Sequence, residues 1–266
     1  MCVVFWSTLV GLLRLKSPVD AYADLNAARA HLLRDGALFR AKKTPSLDDL
    51  ANVQTDADDG ALLQAYVALP EAPPDGPLPV LLLLHEFFGL NESILEKGQL
   101  LADDLSCVVI APDTFRGVTT SFIPRAIWLA LTAPQARVNA DLDAWLRWAA
   151  SAELGRVAGV LADPKRVAVM GFCYGGGKAI RYTTQARPDA ATVVWYGNPL
   201  TDVEELGRLR APVCAVFGCD DPQIPQPLVN RFRGALELAD VEHEVMSYYG
   251  AGHAFWRSVQ QVRDEE

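Results

Sequence analysis

Four short stretches of this 266-residue chain carry residue types that can do covalent chemistry. The first, Gly171-Phe172-Cys173-Tyr174-Gly175-Gly176-Gly177, follows an apolar run and precedes a helical pattern. Small residues two before and two after a central residue are what a sharp strand-to-helix turn needs, because the backbone folds back on itself there. The central residue is Cys173, whose sulfur is expected at a helix N-terminus, where the dipole favours thiolate. The Tyr174 amide then faces a reacting carbonyl oxygen as half of an oxyanion hole. A phosphate-binding loop is the competing reading. It fits less well, since Lys178 is followed by Ala179 rather than Ser or Thr, and Gly-x-Gly-x-x-Gly is not formed.

Two later stretches supply what a cysteine nucleophile requires. Cysteine needs a base that takes and returns a proton, and a histidine base needs a carboxylate to fix its tautomer. Phe217-Gly218-Cys219-Asp220-Asp221-Pro222 places two carboxylates after a buried strand, and Gly250-Ala251-Gly252-His253-Ala254-Phe255 places a histidine after the next. Singly, His253 reads as a structural histidine and Asp220 as a loop cap. Together the order nucleophile, acid, histidine points to a triad of Cys173, Asp220 and His253, with Asp221 the acid if the loop is read one residue off. The fourth stretch is His85-Glu86-Phe87-Phe88-Gly89. Phe87 is placed to give the second oxyanion N–H. Glu86, beside two phenylalanines, is expected to hold its proton more tightly than usual and to exchange it with a thiol, unless it is a solvated loop carboxylate. His85 is expected to bond locally. Cys214, Cys219 and His253 match no common zinc spacing, so no metal is expected.

The elements that must hold these residues alternate. Strands are expected at 61–69, 79–84, 107–110, 166–171, 191–196, 212–218 and 243–248. Helices are expected at 92–105, 139–152, 176–186 and 227–238, with the acidic segment 55–60 a turn. The run Val80-Leu81-Leu82-Leu83-Leu84 lacks alternation, as in a strand covered on both faces. This is an α/β class chain with a mostly parallel central sheet and helices on both faces, in which ligand chemistry sits beyond the carboxyl ends of strands. Residues 1–55 read as an extension, with helical spacing over 19–43, and 56–266 as the catalytic domain.

Composition narrows the function classes. The chain is half hydrophobic and 21% charged, with 24 basic and 33 acidic side chains. The first fifty residues hold seven basic and five acidic groups, leaving 17 basic and 28 acidic, a net of −11, on the rest. An acidic body without a basic cluster argues against a nucleic-acid partner. Five cysteines, an odd number, suggest free thiols and a reducing, cytoplasmic setting. No apolar stretch reaches the roughly 20 residues that span a bilayer, so no membrane partner is expected. The apolar run Cys2–Leu13 has its charges, Arg14 and Lys16, after it rather than before, the reverse of a secretory signal. A small-molecule substrate and a monomer or small homo-oligomer are expected.

From about Asp59 to Arg257 the chain resembles the dienelactone hydrolase family of α/β hydrolases. The resemblance rests on His-Glu-Phe-Phe-Gly-Leu-Asn at 85–91, Ala-Pro-Asp at 111–113, Gly-Phe-Cys-Tyr-Gly-Gly at 171–176, Gly-Cys-Asp at 218–220 and Gly-His-Ala-Phe at 252–255. It implies Cys173 as nucleophile, His253 as base, Asp220 as its orienter and Glu86 as partner of the thiol. It also implies hydrolysis of small esters and lactones through an acyl-enzyme, without a cofactor. The substrate positions depart from the pattern. Family members that bind the dienelactone carboxylate have a serine after the histidine, where this chain has Ala254, and an arginine kept here as Arg257. The arginine and tyrosine expected before the helix at 139–152 fall on Ile123 and Ile127, with Arg125 and Arg116 nearby. Ile123, Ile127 and Trp128 therefore suggest a more apolar acyl or alcohol pocket. Beyond Arg257, residues 258–266 would begin the family's last helix.

Two other readings compete with the ester or lactone hydrolase. One is a thiol hydrolase of thioester or peptide bonds, which shares the acyl-thioenzyme and differs in pocket contacts. The other is a non-catalytic protein that keeps the fold. A redox pair of Cys173 with Cys219 is a further reading of the thiols.

Overall fold

The computed structural model describes residues 46–118, 120 and 122–256. The helical pattern at 19–43, Arg257 and the 258–266 segment lie outside the described residues.

Eight strands form one sheet in the order β1-β2-β4-β3-β5-β6-β7-β8. They are β1 (Val53–Asp56), β2 (Leu62–Ala68), β3 (Leu78–Leu84), β4 (Val108–Pro112), β5 (Ala162–Phe172), β6 (Ala191–Trp195), β7 (Val213–Gly218) and β8 (His243–Tyr248). β1 and β2 are antiparallel, β2 runs antiparallel to β4, and every pairing from β4 through β8 is parallel. The helices are α1 (Leu47–Leu50), α2 (Glu92–Leu105), α3 (Ile123–Thr132), α4 (Gln135–Ala150), α5 (Ala152–Ala158), α6 (Tyr174–Gln185), α7 (Val203–Leu206) and α8 (Gln226–Leu238).

The unbroken leucines of β3 divide between two cores. Val80, Leu82 and Leu84 pack with Leu142, Trp145 and Tyr182 under α4 and α6, while Leu81 and Leu83 pack with Ile94, Leu101 and Val109 under α2. A strand covered on both sides has no solvent face to encode, hence no polar alternation. α2 begins where the Asn91 side chain accepts the Ile94 amide at 3.2 Å, and ends at Ser106 in the left-handed region, φ 49°. Its buried positions 94, 97/98, 101/102 and 105 follow the helical period, and one of them is a lysine.

Several elements were not anticipated. β1 occupies part of the segment read as a turn, and α3, α5 and the one-turn helices α1 and α7 were unassigned. β1 is four residues with alternating half-buried and exposed side chains, a pattern too short to separate from a turn. α3 follows Phe122, which supplies no side-chain cap, and has no acidic residue in its first turn, so Pro124 alone marks its start.

The helix after Cys173, α6, lies against the β6 loop by backbone alone. A Cβ on Gly197 would come within 2.6 Å of Gly176 and Gly177 backbone atoms, and one on Gly176 within 2.9 Å of the Gly197 Cα. Neither side offers a side chain that can yield. Gly197→Ala is therefore expected to cost roughly 2 kcal/mol or more of unfolding free energy, which urea denaturation followed by circular dichroism measures.

Candidate active site

β5 delivers Cys173, the candidate nucleophile. Cys173 sits between β5 and α6 with φ 51° and ψ −113°, a conformation that L-residues avoid. Its amide donates to the Trp195 carbonyl at 2.9 Å, and its carbonyl accepts from Gly177 at 3.2 Å, so both sides of the turn are tied down. Gly171 and Gly175 make the turn feasible, because a Cβ on Gly171 would collide with the Gly175 carbonyl and one on Gly175 with the Leu84 carbonyl of β3.

The loops after β7 and β8 meet the thiol. His253 Nε2 lies 3.0 Å from Cys173 Sγ, and His253 Nδ1 lies 2.6 Å from Asp221 Oδ2. Asp221 is buried, and its Oδ1 accepts the amides of Gln223 at 2.8 Å and Ile224 at 3.2 Å. Because ionised Asp221 can only accept, Nδ1 carries the proton and Nε2 is left to accept from sulfur. This corrects the choice of Asp220. The β7 ladder continues through Cys219 N to Tyr248 O and Asp220 N to Ala251 O, which points the Asp220 side chain to solvent. The next residue turns inward. Gly-Cys-Asp-Asp offers two adjacent carboxylates, and only the register of the loop decides between them.

His85 is buried, and its Nε2 accepts the Thr114 amide at 3.1 Å, so Nδ1 donates to the Glu86 carbonyl at 2.6 Å. Burial lowers its pKa, and it stays neutral. It thus fixes the loop of Glu86 and Phe87 without facing the thiol, as the sequence suggested. Phe87 lines the cavity beside Cys173 and Tyr174. Glu86 is half-buried, and its Oε1 accepts no hydrogen bond among the described residues.

The thiol itself departs from expectation. Burial pushes its pKa up to about 12, with the negative charges of Glu86 and Asp221 adding to the effect, against a hydrogen bond from the Tyr174 amide that lowers it. The helix N-terminus is thus outweighed by loss of water and by two carboxylates, and the resting group is a thiol rather than a thiolate. The four cysteines among the described residues are all free.

A cavity of about 720 Å³ opens over Cys173 and His253. One wall is the face of α3 that carries Ile123, Ile127, Ala130 and Leu131; the other includes Lys178 and Arg181 of α6, with Asn198 and Tyr196. Ile123 and Ile127 therefore stand where they were expected. Arg125 and Trp128 do not, since on a helix they project about half a turn from Ile123, and both are exposed. Arg116 is occupied in an ion pair with Asp141 at 2.6 Å and Asp59 at 2.8 Å. Lys178 and Arg181 were missed. Their spacing from Tyr174, four and seven residues along the helix that the elbow opens, places them on its cavity-facing side. Burial, then Arg181 and Arg137, lowers the Lys178 pKa to about 8. Among the described residues no cluster of three or more His, Cys, Asp or Glu is arranged to hold a metal, and no helix is long and apolar enough to cross a membrane.

Comparison with known proteins matches this architecture. The family model described as "Dienelactone hydrolase family" aligns with residues 63–266, more than half of the chain. The chain belongs to the dienelactone hydrolase family. With the family come the α/β-hydrolase fold and a reaction class, hydrolysis of a carboxylic ester or lactone. A protein of Salmonella typhimurium, provisionally named a carboxymethylenebutenolidase, is 33% identical over 220 residues, 77% of each chain. One of the same provisional name from Escherichia coli K12 is 33% identical over 227 residues, 80% of each. The crystal structure of a provisionally named dienelactone hydrolase from Klebsiella pneumoniae is 30% identical, with a TM-score of 0.67, covering 80% of this chain and 93% of that one.

A neutral resting thiol has a direct chemical signature. Thiolate is the species that reacts with iodoacetamide, and a pKa near 12 leaves it a minor form across the neutral range. Cys173 alkylation at pH 7–8, followed by peptide mass spectrometry, should be slower than that of an unperturbed cysteine. Its rate should keep rising with pH up to at least pH 10, with no plateau in the neutral range.

Proposed function

We propose that the chain hydrolyses carboxylic esters or lactones through an acyl-enzyme on Cys173, with His253 as base, Asp221 as its orienter and the amides of Tyr174 and Phe87 as the oxyanion hole. The observation that carries this reading is the hydrogen-bonded line of sulfur, imidazole and carboxylate, 3.0 Å and 2.6 Å, at the floor of the cavity. Substrate binding displaces water and brings the carbonyl carbon to Sγ. The thiol proton passes to His253 Nε2 as the S–C bond forms, and the carbonyl electron pair moves to oxygen, facing the two amides. The tetrahedral adduct collapses as His253 gives its proton to the leaving alkoxide, leaving a thioester on Cys173. Water, deprotonated by the same imidazole, attacks the thioester, and the acid leaves as the thiol is restored. Imidazolium beside buried Asp221 is favoured over imidazolium alone, which lowers the barrier to each proton transfer.

The two walls set the substrate class. The isoleucines and Leu131 of α3 favour an apolar acyl or alcohol group, and the Lys178 and Arg181 wall favours a carbonyl or carboxylate oxygen on the other side. A volume of about 720 Å³ exceeds what an acetyl ester fills, so longer esters gain contacts.

The deciding experiment is p-nitrophenyl acetate hydrolysis followed from the first turnover. A burst followed by steady turnover is expected, with both lost in Cys173→Ala; equal rates in that variant would reject the acyl-enzyme. Asp221→Asn should reduce kcat by about 10³- to 10⁴-fold, because the imidazole can then take the wrong tautomer, whereas Asp220→Asn should stay within about twofold of the parent. Across acetate, butyrate and hexanoate esters, kcat/KM should rise by roughly three- to tenfold per step as methylenes reach the α3 wall, and Ile127→Ala should flatten that series.

A further inference from the structure

The mechanism leaves a buried ammonium unused. Lys97, the lysine on the inner side of α2, is 1% exposed. Its ammonium donates to the Trp256 carbonyl at 2.9 Å, and stands 4.6 Å from the ring centre of Phe172, the residue before the nucleophile, and 5.6 Å from that of Trp256. Trp256 lies three residues past His253, and Tyr196 donates to the same carbonyl at 3.2 Å. An ammonium taken out of water is costly unless an opposite charge accompanies it. The carboxylates that act on Lys97 are Glu86, the larger influence, and its neighbour Glu96. Glu86 in turn acts on the Cys173 thiol, and its buried Oε1 has no hydrogen-bond donor among the described residues.

We propose that Lys97 is a positioning residue for the Cys173 chemistry: from behind the elbow its ammonium offsets the charge of Glu86 next to the thiol, and through the Trp256 carbonyl it anchors the loop that carries His253. The proposal rests on the reading of Cys173 as nucleophile, but it is tested without turnover. The groups around the thiol are Glu86 from the β3 loop, Asp221 from the β7 loop and His253 from the β8 loop; Lys97 enters from α2 as the cation behind Glu86. Removing that cation leaves Glu86 uncompensated, and forming a thiolate beside it becomes harder. The sign with pH follows. Burial lowers the Lys97 pKa to about 8, so its charge is present below that pH and lost above it.

The test is the pH profile of Cys173 alkylation by iodoacetamide in the full-length protein. Lys97→Met should slow alkylation at pH 6–7 by roughly three- to tenfold, a thiol shift of half to one unit, and should match the parent above about pH 9. Lys97→Arg should restore the parent rate at pH 6–7 and hold its advantage over Lys97→Met above pH 9. In a Glu86→Gln background Lys97 loses its main counter-charge and its titration moves down, so the Lys97→Met effect should fade at a lower pH than it does with Glu86 present. Superimposed profiles for the parent and a folded Lys97→Met variant would overturn the proposal, as would a Lys97→Met effect that fades at the same pH with and without the Glu86 carboxylate. Should Lys97→Met not fold, ¹³C NMR of the lysine ε-carbons decides. The Lys97 titration near pH 8 should move down in Glu86→Gln, and an unmoved midpoint rejects the coupling. A protein that hydrolyses no ester yet shows the coupling would refute the hydrolase reading alone. An active one without it would refute only the role of Lys97.

Discussion

The structure depends on backbone meeting backbone at the end of β5. Gly171, Gly175 and Gly176 bring the elbow within contact distance of β3 and of Gly197, with no side chain between. That closeness holds Cys173 at φ 51°, a conformation that an isolated cysteine would leave. Once the elbow is fixed, everything else is placed relative to it. The β3 loop brings Glu86 and Phe87 to one side, the β7 and β8 loops bring Asp221 and His253 to another, and α6 starts with its amides toward the sulfur. A parallel sheet makes this convergence possible, since its strands all end on the same side.

Electrostatically the site is set against early ionisation. The thiol is largely buried, and the carboxylates of Glu86 and Asp221 that act on it are negative, so it keeps its proton at rest. A thiolate exposed at neutral pH would react with any electrophile or oxidant that entered the cavity. In the reaction proposed above, holding the proton until a carbonyl arrives and the imidazole can accept it would couple reactivity to occupancy. The 3.0 Å contact to His253 Nε2 supplies the route for that transfer.

Much of this was legible in the sequence, for identifiable reasons. The elbow was readable because its glycines are required at fixed offsets. Helix 92–105 and strand 243–248 were assigned with the boundaries observed, the helix because Asn91 and the apolar period mark it. What failed depended on information that spacing does not hold. Asp220 and Asp221 are adjacent and chemically identical, and only the extra ladder bond from Asp220 to Ala251 separates them. The thiolate expectation weighed a helix dipole without the burial and the two carboxylates that oppose it, which are contributed by distant segments. Arg125 and Trp128 were grouped with Ile123 and Ile127 by proximity in sequence, whereas the helical turn divides them. Lys97 was invisible for a simpler reason: a lysine in an amphipathic helix is assigned to water.

The α3 wall is held to the body by two buried side chains of its own, Ala126 and Leu129, while Ile123, Ile127 and Leu131 reach the cavity without entering a core. The residues with which α3 lines the cavity and the residues that keep the chain folded are thus different sets. Replacing the first leaves the leucines of β3 and the glycines of the elbow untouched. The shape and polarity of this cavity can thus be varied by changes on one short helix, with the cost of each trial confined to that helix.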